Sequence, residues 1–207
     1  MTEVFLHGLG QGPESWGPLG RGALCPDLFA LPREGEGGLC YPGLYQALCA
    51  YCEELPPPLR LCGLSLGGVL ALQYALEYPE RVESLVLIGT PCAMPKGLLR
   101  FQSAVFRLMP ERAFRAGGLS KKETLELTGS MVDLDFRGEL GRIACPALIL
   151  CGERDRANKK AALELRDGIP GAELAWVPGA GHEVNREAPE ALAALLEAFY
   201  RRRGEGL

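Results

Sequence analysis

Cys62-Gly63-Leu64-Ser65-Leu66-Gly67-Gly68 places a serine between two glycines at the end of an apolar run. In a chain of 207 residues with 27 glycines, a G-x-S-x-G string carries weight only through its context. Upstream, Leu59 to Leu64 is a short apolar segment bounded by Pro56-Pro57-Pro58, the pattern of a buried parallel strand. Downstream, Val69 to Tyr78 has the spacing of a buried helix, and Tyr78-Pro79 ends it because a residue before proline disfavours the α region. A strand, a sharp turn and a helix put Ser65 at the apex of a strained turn. Its Oγ points outward, toward the same place as the free N–H groups of the helix start. Gly63 and Gly67 let neighbouring backbone approach without a Cβ clash. The bland alternative is a structural Gly-Ser-Gly turn.

A serine hydroxyl is a poor nucleophile at neutral pH, so it needs a general base, and the base needs a carboxylate to orient it. The chain has two histidines. His182 closes Pro178-Gly179-Ala180-Gly181-His182, directly after the last strand-like run and therefore at the same sheet end as Ser65; His7 follows the first run and is the alternative base. For the acid, Cys151-Gly152-Glu153-Arg154-Asp155 follows the fifth run. Asp155 is favoured because the order Ser, Asp, His suits this turn, with Glu153 as rival and a helix cap near Ala157 as its bland reading. Two backbone donors for a developing oxyanion would be the Leu66 N–H and, from His7-Gly8-Leu9, the Leu9 N–H. This chemistry calls for no cofactor and no metal.

These residues need a frame that gathers them. Strand-like runs occur at Val4 to Leu6, Ala23 to Leu28, Leu59 to Leu64, Ser84 to Gly89, Ala147 to Cys151 and Glu173 to Val177, most of them separated by helical patterns. That alternation predicts right-handed βαβ units and a parallel sheet covered on both faces. Pro26 cannot donate to a ladder, so its strand should be an edge or finish early. From Pro91 to Arg142 the alternation fails, and helical patterns without a strand predict an inserted cap over 91–142. Leu98, Leu99, Phe101, Val105, Phe106 and Met109 form a stripe there, with Arg100 and Arg107 opposite. The cap should lay that stripe over the mouth of the sheet above Ser65, since parallel α/β folds place ligands at the carboxyl ends of their strands.

Composition narrows the class. The length suits one domain, 1–207, burying roughly 70–75% of the unfolded chain's surface. A net charge of −4 gives no reason to expect nucleic acid, and no signal segment or membrane span is legible, so a cytoplasmic monomer or homodimer without membrane contact is expected. The eight cysteines lie mostly in apolar runs and read as reduced thiols. Cys49-Ala50-Tyr51-Cys52 falls in a helical stretch with no partner pair for a metal. Lys96, Arg100, Arg107, Arg112, Arg115, Lys121 and Lys122 read as the solvated face of the cap, attraction of an acidic substrate or a membrane surface being the alternative. Arg201-Arg202-Arg203 suits a helix C-terminus.

Taken together, His7-Gly8-Leu9-Gly10, Gly63-Leu64-Ser65-Leu66-Gly67-Gly68, Gly152-Glu153-Arg154-Asp155 and Gly179-Ala180-Gly181-His182 resemble the α/β-hydrolase superfamily. The likeness is to its small esterase, C–C hydrolase and haloperoxidase-like branch, and it spans nearly the whole chain. The resemblance implies Ser65 as nucleophile, Asp155 as acid, His182 as base and the cap as the determinant of substrate choice. It also implies a mostly parallel six-stranded sheet flanked by helices. Members of this family commonly carry two strands before the His-Gly turn, whereas here that strand begins at Val4. Glu183 stands where many relatives have an apolar residue, and its carboxylate is expected to face water rather than to act on His182. Three activities are compatible: hydrolysis of a small ester or thioester through an acyl-enzyme, lyase or C–C bond cleavage of a carboxylated metabolite at the same site, and ligand binding without catalysis.

Overall fold

The computed structural model describes residues 2–20, 22–33, 38–94, 97, 106, 108–111, 114 and 118–202. Its frame is a parallel sheet of five strands, β1 (Thr2–Leu6), β2 (Leu59–Leu64), β3 (Val82–Ile88), β4 (Ala147–Gly152) and β5 (Glu173–Val177), laid side by side in chain order. The six-stranded expectation is corrected at Ala23 to Leu28. There only Leu24 bridges to β1, exchanging two 2.8 Å hydrogen bonds with Phe5 and Glu3 on the side away from β2. Pro26 is the physical reason, because without an N–H it cannot extend the ladder, and the run stays a single bridge at the outer edge.

When each strand lies beside its predecessor in one direction, right-handed crossovers place every connecting helix on the same face. Side chains of α1 (Tyr41–Glu53), α2 (Leu66–Glu77) and α4 (Lys159–Gly168) accordingly share one core cluster with Leu61, Leu85, Leu87 and Ile149 of the sheet. Alternate residues of the same strands, such as Leu64, Ile88 and Leu150, face the opposite cluster. Trp16 from the 3₁₀ segment Pro13–Gly20 and Leu192, Leu196 and Phe199 from α6 (Pro189–Arg201) cover them. Both faces are therefore closed, as a parallel sheet requires.

The eight cysteines are all free thiols. Cys49 and Cys52 sit one turn apart on α1, and burial pushes the Cys52 thiol up to about 12, so it stays protonated. In the region expected to form the cap, the structure describes α3 (Lys121–Ser130), whose N-terminus is closed by reciprocal bonds between Ser120 and Glu123. Leu127, Met131, Phe136 and Leu140 carry this segment into the core on the α1 side. Leu98, Leu99, Phe101 and Val105 of the expected stripe, with Lys96, Arg100, Arg107, Arg112 and Arg115, lie outside the described residues. Lys122 pairs with Glu126 at 3.7 Å on the surface of α3. No helix of the described residues is long and apolar enough to cross a membrane.

Candidate active site

The carboxyl ends of β1 to β5 deliver the singled-out residues to one edge of the sheet. Ser65 follows β2 and precedes the first residue of α2, with φ 53° and ψ −113°; it is the one non-glycine residue at positive φ among those described. That conformation is costly for a residue with a Cβ, so the surroundings must hold it. They do so through the Ser65 N–H, which donates to the Ile88 carbonyl at the end of β3 (2.9 Å), and the Ser65 carbonyl, which accepts the first helical bond from Val69 (3.0 Å). Gly67 is required by close approach. A Cβ there would run into the carbonyls of Leu6 and His7, which brings the end of β1 against the start of α2. The next turn also reaches Ser65, since a Cβ on Gly8 would lie 3.5 Å from the Ser65 Cβ.

On the other side of β3, Asp155 and His182 meet. His182 Nδ1 stands 2.7 Å from Asp155 Oδ2, with the carboxylate buried and the imidazole 41% exposed. Burial pushes the Asp155 carboxyl up, but the hydrogen bonds from His182 and Asn158 outweigh that and hold it below the ordinary carboxylate value. An ionised carboxylate only accepts, so His182 Nδ1 carries the proton between them. The half-exposed ring leaves Nε2 able to take a proton from another group. Gly89, the residue after Ile88, has φ 54°, and a Cβ on it would come within 3.1 Å of His182 Nδ1 and Cε1. Ser65 and the His182–Asp155 pair thus flank two successive residues at the end of β3.

The alternatives from the sequence have partners of their own. His7 is buried. Its Nε2 accepts from the Leu28 N–H at 3.0 Å while Nδ1 lies 3.0 Å from the Gly8 carbonyl, so both ring nitrogens are engaged in shaping the loop after β1. Burial lowers its pKa and favours the neutral ring. Glu153 accepts from the Gly179 N–H at 3.1 Å, bracing the loop that leads to His182 rather than touching the ring. Asp155 also accepts from the Asn158 backbone N–H at 3.3 Å, but the residue that caps α4 is Asn158 itself. Glu183 pairs with Arg186 at 3.3 Å on the surface, away from the ring's hydrogen bonds. Leu66 opens α2, where the first N–H groups have no intrahelical acceptor. Leu9 occupies a turn closed by a 3.2 Å bond from Gln11 N–H to the Gly8 carbonyl.

Four residues that brace these loops are absent from the sequence reading. Asn158 donates through Nδ2 to both oxygens of Asp155, at 2.9 and 3.1 Å. Glu187 clamps the backbone on both sides of His182, accepting from Gly181 N–H at 2.8 Å and Glu183 N–H at 3.0 Å. Gln11 and Asn185, both buried, pair their amides at 3.1 and 3.3 Å and so tie the loop after β1 to the segment after His182; Asn185 also donates to the Ser15 carbonyl at 3.2 Å. Among the described residues no cluster of His, Cys, Asp and Glu is arranged to hold a metal ion.

The sequence pattern of the alpha/beta hydrolase family matches residues 4–195. The pimeloyl-[acyl-carrier protein] methyl ester esterase of Aromatoleum aromaticum is 30% identical, the match covering 96% of this chain and 97% of the relative. A Bacillus subtilis protein named as a putative 2-succinyl-6-hydroxy-2,4-cyclohexadiene-1-carboxylate synthase is 29% identical over 68% of this chain and 65% of its own length. Among solved structures, NosK from Streptomyces actuosus superposes with a TM-score of 0.80 at 25% identity, covering 99% of both chains.

Proposed function

The chain belongs to the alpha/beta hydrolase family, and we propose that within it this protein is a serine hydrolase that cleaves a small ester or thioester through an acyl-enzyme. The observation that carries the reading is the 2.7 Å contact of His182 Nδ1 with buried Asp155, set beside the strained turn that presents Ser65. In this mechanism His182 Nε2 takes the proton from Ser65 Oγ as the oxygen attacks the acyl carbonyl. Asp155 stabilises the imidazolium that forms, and the Leu9 and Leu66 N–H groups receive the negative oxygen of the tetrahedral intermediate. Collapse expels the alcohol or thiol, which takes the proton from His182. Water, deprotonated by the same Nε2, then attacks the acyl-enzyme and regenerates Ser65.

The near full-length match to a methyl ester esterase supports an ester as the scissile group, and the methyl ester of an acyl chain is the first substrate to try. The match to the Bacillus subtilis synthase, named for a carboxylate, covers less of both chains, so lyase or C–C bond cleavage of a carboxylated metabolite stands second. Residues 91–142 are proposed as the cap that selects the acyl group within a single domain, and neither nucleic acid nor a membrane is a proposed partner. The test is turnover of short-chain p-nitrophenyl and methyl esters by the wild type and by Ser65→Ala. The variant should lose on the order of 10⁴-fold or more in kcat. Undiminished turnover by Ser65→Ala, or wild-type inactivity on every ester alongside cleavage of a C–C substrate, would overturn the reading.

A further inference from the structure

Asn158 lies outside the expected Ser, Asp, His set, yet its side chain touches both Asp155 and His182. Its Nδ2 lies 2.9 Å from Asp155 Oδ2, 3.1 Å from Oδ1 and 3.2 Å from His182 Nδ1, and its backbone N–H reaches Oδ1 at 3.3 Å. The first two contacts are hydrogen bonds to a carboxylate. The third cannot be one while His182 Nδ1 carries the proton it donates to Asp155, because two donors then face each other. Asn158 therefore shares Asp155 with the imidazole.

We propose that Asn158 is a positioning residue for the hydrolytic reaction, holding the Asp155 carboxylate in the plane that aims Oδ2 at His182 and withholding part of its charge from the ring. The inference rests on the serine hydrolase reading above. Two consequences follow from the contacts. With both oxygens engaged on the Asn158 side, the carboxylate cannot rotate about its last bond without losing donors, so His182 keeps one orientation and one tautomer. A carboxylate that already accepts uncharged donors also stabilises an imidazolium less than a bare one does.

The surrounding groups leave this assignment to Asn158. From β4 the neighbouring titratable group is Cys151, whose thiol burial pushes up to about 11 and thus stays neutral; α4 contributes Lys159, which also acts on Cys151. From the loop after β4, Arg154 approaches Gly179 on the loop after β5. In α5 (Val184–Glu187), Glu187 is taken up by the Gly181 and Glu183 N–H groups, and Arg186 by Glu183. Just after β3, the backbone of Gly89 faces the pair.

The experiment compares wild type, Asn158→Ala and the nearly isosteric Asn158→Asp on one p-nitrophenyl ester across pH, with Ser65→Ala alongside. Asn158→Ala should lower kcat by about 10-fold with KM retained, short of the roughly 10²–10⁴ that a general base itself contributes. Its acidic limb should move to higher pH, because the less-satisfied carboxylate holds the His182 proton more tightly. Asn158→Asp, which replaces a donor by a second carboxylate, should move that limb further in the same direction. Unchanged kcat and an unmoved acidic limb in both variants, whatever happens to their melting temperatures, would overturn the inference. If either variant is too unstable to assay, the other decides it, and the downfield proton resonance of His182 Nδ1–H in the folded variant should shift from its wild-type position. Loss of activity in Ser65→Ala with normal Asn158 variants would fell this inference alone, whereas an active Ser65→Ala would fell the underlying reading.

Discussion

At the scale of single residues, the chemistry depends on which protons sit where. Asp155 stays ionised although buried because His182 and Asn158 donate to it, and His182 commits Nδ1 to that carboxylate. The other histidine behaves in the opposite way. Burial holds the His7 pKa below its ordinary value near 6.5, so the unfolded chain takes up a proton before the folded one does. The stability contributed by neutral His7 is full above pH ~6.5 and is lost as the pH falls from there toward the lowered value. Melting curves from pH 7.5 to 5 should show wild type losing stability across this window and His7→Gln losing less; equal slopes would contradict this account of His7. Ser65, Asp155 and His182 were legible in the sequence because each ends a short motif behind an apolar run. Asn158 was not, since Asp-Arg-Ala-Asn reads as an ordinary helix start. Its amide meets His182 only once the loops after β4 and β5 are brought together.

At the scale of elements, the sheet does the gathering and the loops are then pinned to one another. The strands expected from apolar runs are present except at Ala23 to Leu28, where a missing N–H at Pro26 leaves one bridge. Alternation of strand and helix made this much readable. The Gln11–Asn185 pair was unreadable, because nothing local links side chains 174 positions apart. The pair joins the turn that carries Leu9 to the segment that follows His182, and both amides are buried. Removing one partner leaves the other unsatisfied, at a cost of about 1–3 kcal/mol. Gln11→Ala and Asn185→Ala should each destabilise by about that amount, and a double-mutant cycle in urea should give a coupling of about 0.5–3 kcal/mol. Additive effects within error would show that the two loops are held independently.

At the scale of the whole molecule, one closed parallel sheet supports a site built wholly from loops at its carboxyl edge, the place where such folds bind ligands. Burial does the remaining work. It pushes the Cys52 and Cys92 thiols up to about 12 and so keeps both protonated. Substrate choice was the least legible property, because no spaced motif encodes it. The nucleophile is the central claim, and it can be observed as a covalent adduct. Wild-type protein acid-quenched during turnover of p-nitrophenyl acetate and mapped by mass spectrometry should carry one acetyl group on the peptide containing Ser65, and Ser65→Ala should carry none. Sustained release of p-nitrophenol by the wild type with Ser65 never acetylated, or with the acetyl group on another residue that Ser65→Ala still acquires, would contradict it.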